Sequence, residues 1–298
     1  MILGKHMNRY YLRFAPMLLL GVLVLLVEDY LVLLVPEFYR MIVNGISYGF
    51  VNTDGVKQVF DMAFLIDRIC LPMAIVILLM VLGRFLWRPL FISPAILLER
   101  DLRDRMFGHC KDLSREYYQV NKVGNLMSLF TNDLDTVQEC YGWGIMMFCD
   151  ALFLAVLAIV KMWRMDPMLT ILSLIPMFFL MGSATILGKY MMQKWDYRQE
   201  CFSRLSDFAQ ESFSGIAVTK AFVKEALELE NFKKLNVENE KANLDHTKAS
   251  VIFRIMVMLF VESIICVILG YGGFLVYQDK FNAGQLVEFI GYFNSVIW

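Results

Sequence analysis

The stretch Ile69-Cys70-Leu71-Pro72-Met73-Ala74-Ile75-Val76-Ile77-Leu78-Leu79-Met80-Val81-Leu82-Gly83 carries no charged side chain, and the helical pattern continues past its end. Leu97, Leu98, Leu102, Met106 and Leu113 recur at heptad-like spacing among Glu99, Arg100, Asp101, Arg103, Asp104 and Arg105. From Val59 to Leu113 the only prolines are Pro72, Pro89 and Pro94, and proline is tolerated inside a membrane helix. The pattern predicts one helix of ~80 Å at 1.5 Å per residue, more than twice the hydrocarbon thickness. Such a helix crosses a bilayer and projects far into water.

The rest of the chain agrees. Mean hydropathy is +0.54 and 58% of the 298 residues are hydrophobic, yet 28 Lys+Arg and 29 Asp+Glu are too many for membrane spans alone. Apolar and charged residues must therefore be segregated. Runs such as Met17–Val27, Ala151–Val160 and Ile255–Val261 have no use in a soluble domain, which excludes an ordinary cytosolic enzyme. The same hydrophobicity excludes a disordered chain. A net charge of -1, with no basic surplus in either long charged stretch, argues against nucleic-acid binding.

Six stretches meet or approach the ~20 apolar residues a span requires: roughly 14–50, 59–96, 141–164, 168–193, 249–277 and 285–298. Residues 1–13 form an amino-terminal segment in which Tyr10–Phe14, with Arg9 and Arg13, suits either a short interfacial helix leading into the first span or an irregular tail. Asn52-Thr53-Asp54-Gly55, Trp163–Pro167 and Gln278–Gly284 are tight turns. Asp166-Pro167 fits a helix start, and Asn282 with Gln285 resembles a capping box. By contrast, 97–140 and 194–248 are long polar excursions.

Lys and Arg set the orientation. Lys5, Arg9 and Arg13 precede the first span, Arg100, Arg103, Arg105, Lys111, Arg115 and Lys122 lie in 97–140, and nine more lie in 194–248. The short turns hold only Lys57, Arg164 and Lys280, with Lys161 just before the second. The amino terminus and both excursions are expected in the cytoplasm of a multi-pass cell-membrane protein. In the second excursion Phe202, Leu205, Phe208 and Ala209, then Phe213, Val218, Phe222, Leu227 and Phe232, mark an apolar face on helices with balanced charge. The expected fold is all-α, six spans with two cytoplasmic helical hairpins.

The segment Glu99-Arg100-Asp101-Leu102-Arg103-Asp104-Arg105-Met106-Phe107-Gly108-His109, with Tyr117-Tyr118, Gly124-Asn125-Leu126-Met127 and Thr131-Asn132-Asp133-Leu134, resembles the first intracellular loop of ATP-binding-cassette (ABC) exporters. Phe202 to Phe222, with Ala209-Gln210-Glu211-Ser212 and Gly215-Ile216-Ala217-Val218-Thr219-Lys220-Ala221-Phe222, is similar to the second. Gly270 to Tyr277 and Gly284 to Phe289 are similar to the last two helices of bacterial multidrug half-transporters, especially heterodimeric ones. The resemblance implies a type I exporter transmembrane domain.

It also implies a short coupling helix at each hairpin end, lying on a nucleotide-binding domain. The first would be about Tyr117–Gly124, with Tyr117, Tyr118, Asn121, Lys122 and Gly124. The second would be about Gly215–Phe222, with Gly215, Ile216, Val218, Lys220 and Phe222. The residues themselves allow two readings: Ile216, Val218 and Phe222 fill a partner's groove with Lys220 at its rim, or Ile216 and Phe222 close the hairpin on itself. By resemblance, two such domains pair as identical or different halves, and helices 4 and 5 cross to the opposite half.

Three departures from the family stand out. Gly124-Asn125 replaces the usual Gly-Asp, the arginine expected before Thr131-Asn132-Asp133 is absent where Leu129 and Phe130 stand, and the sequence stops at Trp298 inside the sixth helix. No Gly-x-x-x-x-Gly-Lys-[Ser/Thr] occurs in it. The reading is a membrane domain without catalysis of its own, with ATP and magnesium expected only in a nucleotide-binding domain.

Ionisable residues at membrane depth are costly and point to function. Glu28, Asp29, Asp150, Glu262 and Glu288 lie within spans, with Arg40, Arg84, Arg88 and Arg254 as candidate partners. Two adjacent carboxylates rarely both ionise in a dry site, so Glu28 or Asp29 is expected protonated unless water or a cation reaches it. Either these acids line an aqueous cavity for cationic or amphipathic substrates, or they cap polar helix contacts and interfaces. The 20 Met and 14% aromatic content suit an adaptable apolar pocket or lipid-facing packing. Cys70, Cys110, Cys140, Cys149, Cys201 and Cys266 show no Cys-x-x-Cys spacing, and His6, His109 and His246 are far apart, so no metal or disulfide role is expected.

The function implied is the substrate-translocating half of an ATP-driven exporter of amphipathic, multidrug-type or lipid-like compounds. Its partners would be a second transmembrane domain, nucleotide-binding domains, the bilayer and hydrophobic small molecules. The alternatives are an ion-coupled secondary transporter, whose helices should break in paired positions at mid-membrane, and a membrane ligand-binding scaffold.

Overall fold

The computed structural model of the chain describes residues 7–53, 56–121 and 123–297. Lys5, His6, Asp54, Gly55, Lys122 and Trp298, all used in the sequence reading, lie outside the described residues. The chain divides into two compact units, one running up to Pro167 and resuming at Gly273, the other being Met168–Gly272.

In the first unit, α1 (Asn8–Val32) runs unbroken through residue 14, so Tyr10–Phe14 is helical and continuous with the span that follows. Burial explains the continuity. Tyr10 and Phe14 pack with Ala95, Leu98 and Tyr141 in one apolar cluster, and the Tyr141 hydroxyl donates to the Tyr10 carbonyl at 3.3 Å. A second cluster joins Leu25, Trp87, Phe91 and Met146. At this crossing Gly21 is required, because a Cβ there would lie 2.8 Å from Phe91 Cε2.

The first expected span is in fact two helices. α2 (Val35–Tyr48) carries Pro36 in its first turn, where a missing N–H is harmless, while the ring blocks an uninterrupted hydrogen-bond ladder back into α1. Gly49 ends α2 in the left-handed conformation, φ 73°, and its N–H donates to the Gly45 carbonyl at 2.9 Å. The chain then forms a β-hairpin rather than a bare turn. β1 (Phe50–Thr53) pairs antiparallel with β2 (Val56–Val59), Phe50 opposite Val59 and Thr53 opposite Val56.

α3 (Met62–Phe64), a π-helical turn (Leu65–Cys70) and α4 (Leu71–Asp112) form one helical stretch of 51 residues, about 75 Å long and close to the length expected. Asp61 starts it, accepting from the Met62 N–H at 2.7 Å. Leu113 then turns extended, and Ser114 caps α5 (Arg115–Val120). α6 (Val123–Ser128), α7 (Leu134–Glu139) and α8 (Ile145–Met165) continue the chain, with π-helical turns at Leu129–Asp133 and Cys140–Gly144.

α9 (Pro167–Ser214), α10 (Ile216–Ala221) and α11 (Glu225–Tyr277) form the second unit apart from their outermost residues, and α12 (Ala283–Ile297) belongs to the first. α9 and α11 are antiparallel. Lys194 pairs with Asp245 at 3.3 Å, Arg204 with Glu238 at 2.8 Å, and Ser212 donates to Glu228 at 2.8 Å, so numbers rise on one helix as they fall on the other.

The capping box at α12 is present. Asn282 N–H donates to Gln285 Oε1 at 2.9 Å, and Gln285 N–H donates to Asn282 Oδ1 at 2.8 Å. Next to it, Gly284 N–H donates to Asn44 Oδ1 at 3.1 Å. Among the described residues, five helical stretches are long and apolar enough to cross a membrane: Asn8–Tyr48, Met62–Asp112, Leu126–Met165, Pro167–Ser214 and Glu225–Tyr277. The sixth expected span is the 15-residue α12. The fold is an all-α, multi-pass membrane architecture to which, among the described residues, one short β-hairpin is added.

Candidate substrate cavity and hairpin ends

Three of the five intramembrane acids meet in the first unit. A cavity of about 380 Å³ is lined by Glu28, Asp29 and Val32 of α1, Arg84 of α4, Asp150 and Leu154 of α8, and Asn294 and Ser295 of α12. Adjacent positions on one helix point about 100° apart, so Glu28 and Asp29 reach it only because α1 packs against both α4 and α8. Glu28 is 7% exposed and Asp29 3% exposed. Arg84 Nε donates to Glu28 Oε1 at 3.0 Å. Glu28 Oε2 and Asp29 Oδ2 have no hydrogen-bond partner among the described residues, and the Asp29 carboxyl faces that of Asp150. Gly83 leaves the side of Glu28 open, since a Cβ there would come to 3.6 Å from Oε2.

Glu288 is equally buried but differently placed. Its Oε2 accepts from Arg40 Nη1 at 3.0 Å and its Oε1 accepts from the Tyr292 hydroxyl at 2.7 Å. Lys161 pairs with Glu37 beside them, and its ammonium lies 5.6 Å from the Tyr30 ring and 5.9 Å from that of Tyr292. With both carboxylate oxygens bonded, Glu288 fastens α12 to α2. Glu262 lies exposed on α11, in the other unit. Of the candidate cations, Arg84 and Arg40 pair with acids, Arg88 lies over the Trp87 ring at 5.7 Å, and Arg254 is exposed on α11. Asn294, Ser295, Glu37 and Tyr292 escaped the sequence reading, and Lys161 entered it only as a charge beside a turn. Nothing short of helix packing distinguishes them from other polar residues near span ends.

At the first hairpin end, Tyr117 and Tyr118 stand on α5, Asn121 follows in a bend, and Gly124 lies in α6. The two rings meet edge to face at 5.7 Å, and the Tyr118 hydroxyl donates to the Cys110 carbonyl. Desolvation, then the neighbouring Cys110 and Tyr117, push the Tyr118 phenol above its usual value.

At the second end, Gly215 precedes α10, which carries Ile216, Val218 and Lys220, and Phe222 follows it. Gly215 has φ -92°, available to any residue, so its glycine freedom is not what makes the turn. The left-handed residue is Val223, φ 51°. Ile216 joins Phe208, Phe213, Leu229 and Phe232 around an apolar groove of about 350 Å³ inside the hairpin. Phe222 is 70% exposed and Val218 is exposed as well, so these two do not close the hairpin.

Residues 18–298 match the family described as the ABC transporter transmembrane region. The chain belongs to this family. This ABC transporter transmembrane region is 25% identical over 297 residues to the probable multidrug resistance ABC transporter ATP-binding/permease protein YheI of Bacillus subtilis (strain 168), covering 99% of the chain and 48% of the relative. It is 26% identical over 281 residues to the multidrug resistance-like ATP-binding protein MdlA of Escherichia coli (strain K12), covering 94% and 46%. The MdlA of Buchnera aphidicola subsp. Schizaphis graminum (strain Sg) is 25% identical over 299 residues, covering 100% and 50%. The ABC transporter region thus spans about half the length of the curated relatives it matches.

Proposed function

We propose that this chain is the substrate-translocating half of an ATP-driven exporter of amphipathic, multidrug-type or lipid-like compounds. It sits in the cell membrane with its amino terminus in the cytoplasm and pairs with a second, identical or different, transmembrane domain. ATP and magnesium act in nucleotide-binding domains, which grip the chain at Tyr117, Tyr118, Asn121, Lys122 and Gly124 and at Gly215, Ile216, Val218, Lys220 and Phe222. The observation that carries this reading is the exposure of Val218 and Phe222 at the end of a long charged hairpin. Large apolar side chains left in water at a hairpin end favour a partner's pocket. That Met168–Gly272 is a compact unit by itself supports its packing on the second half.

Transport follows if substrate and ATP each distinguish two conformations, since a ligand shifts an equilibrium only by its differential affinity. The test uses inside-out vesicles from cells expressing the transporter that contains this chain. ATP-dependent accumulation of a fluorescent amphipath, insensitive to a protonophore, is expected, and Phe222→Asp should uncouple ATP hydrolysis from transport. Accumulation driven by an ion gradient without ATP would overturn the reading in favour of secondary transport.

A further inference from the structure

The cavity formed by Glu28, Asp29, Asp150 and Arg84 has a charge imbalance. Three carboxyl groups face one guanidinium, and that guanidinium is already given to Glu28 Oε1, with its side chain 61% exposed. Two carboxylate oxygens, Glu28 Oε2 and Asp29 Oδ2, have no hydrogen-bond partner among the described residues, on side chains more than nine-tenths buried. Buried carboxylates are stable when charge-paired and hydrogen-bonded. Asp29 hydrogen-bonds Asp150, which takes one shared proton, so the cluster keeps one negative charge more than Arg84 balances, and its complement is a cation that donates hydrogen bonds. A protonated amine, unlike a metal ion, brings N–H donors that match two bare acceptor oxygens, and among the described residues no group of three or more acids, histidines and cysteines is arranged to hold a metal ion. All four helices that line the cavity belong to the first unit, so the site is complete within one half.

We propose that this cavity binds the protonated primary or secondary amine of an amphipathic substrate, its N–H groups donating to Asp29 Oδ2 and Glu28 Oε2. Val32 and Leu154 contact the carbon skeleton beside the nitrogen. A quaternary ammonium of equal charge lacks N–H donors and leaves both oxygens unmatched, and an unmatched buried acceptor is costly. The site discriminates by hydrogen bonding as well as charge. It rests on the exporter reading, whose substrate it specifies.

The experiment measures equilibrium binding of three fluorescent compounds to the purified transporter without ATP: monodansylcadaverine, its N,N,N-trimethyl derivative and its neutral N-acetyl derivative. The primary amine should bind about tenfold or more tighter than the trimethyl compound, the loss expected when charge-assisted hydrogen bonds go unmade. Asp29→Asn should remove that preference, and Arg84→Gln, which frees Glu28, should increase it, a gain that a misfolded variant could not show. Equal affinity for the three compounds in the unaltered protein would overturn the site, as would an Asp29→Asn variant with the same preference. ATP-dependent accumulation in vesicles separates the two ideas. Accumulation without amine preference sinks the site and leaves the exporter, whereas amine preference without accumulation sinks the exporter and leaves the site.

Discussion

Arg40 on α2 donates to Glu288 on α12 at 3.0 Å, joining residues 248 positions apart. Tyr292, one turn further along α12, donates to the other oxygen of the same carboxylate at 2.7 Å. The contact ties the last helix to the segment after the break in the first span. Replacing Glu288 with Ala should destabilise the protein by about 2 kcal/mol, less than for a fully buried pair because water partly screens Arg40. Thermal unfolding of the detergent-solubilised transporter measures the loss, and a double-mutant cycle with Arg40→Gln should show coupling of about 1 kcal/mol. Additive single effects would mean that the pair contributes nothing as a pair.

Gly284 sits where a Cβ would lie 2.4 Å from Asn44 Oδ1 and 2.6 Å from the Arg40 carbonyl. Gly284→Ala must push α12 away from α2 and should cost about 1–3 kcal/mol, as overpacking does. Gly182, on α9, has no neighbour among the described residues within 4 Å of its would-be Cβ, so Gly182→Ala should be neutral or stabilise by about 0.5 kcal/mol. Equal melting shifts for the two variants would contradict the packing described.

The α12 capping box rests on Asn282 and Gln285. Asn282→Ala should cost about 1 kcal/mol. Hydrogen exchange of residues 283–289 should quicken, while that of α1 stays near its original rate. Unchanged protection at the start of α12 would remove the box as a stabilising element.

Val223 holds φ 51° with a β-branched side chain that is well exposed. The left-handed region costs an L-residue about 1–2 kcal/mol, and asparagine tolerates it better than valine. Val223→Asn should slow hydrogen exchange across residues 216–228. If Val223 also presses on a nucleotide-binding domain, transport would fall while exchange still slows, and the two readouts separate the roles. Faster exchange would show that the strain is not located there.

Much of the architecture was legible because it rests on one-dimensional signals. The charge-free run from Ile69 to Gly83, the heptad spacing through Leu113, Asp166-Pro167 and Asn282 with Gln285 are local patterns, and local patterns set helix existence and ends. The β-hairpin at Phe50–Val59 had a local signal too, Asp54-Gly55 between four-residue segments rich in β-formers, but those segments are too short to stand out from the hydrophobic helices on either side. The break after Val32 was marked by Pro36, whose meaning was ambiguous where membrane helices absorb prolines.

The acids show where such reading stops. Glu28, Asp29, Asp150, Glu262 and Glu288 are alike in sequence, each an ionisable residue in an apolar run. Packing sorts them. Glu288 finds Arg40 and Tyr292 and becomes a fastening, Glu262 is exposed on a helix of the other unit, and Glu28, Asp29 and Asp150 converge across α1 and α8 with two oxygens unmatched. Hydrophobicity and spacing place a residue along the bilayer normal and on a helix. The partner that neutralises it lies 56 or 248 positions away, at a distance set by how helices pack, and that no local pattern encodes.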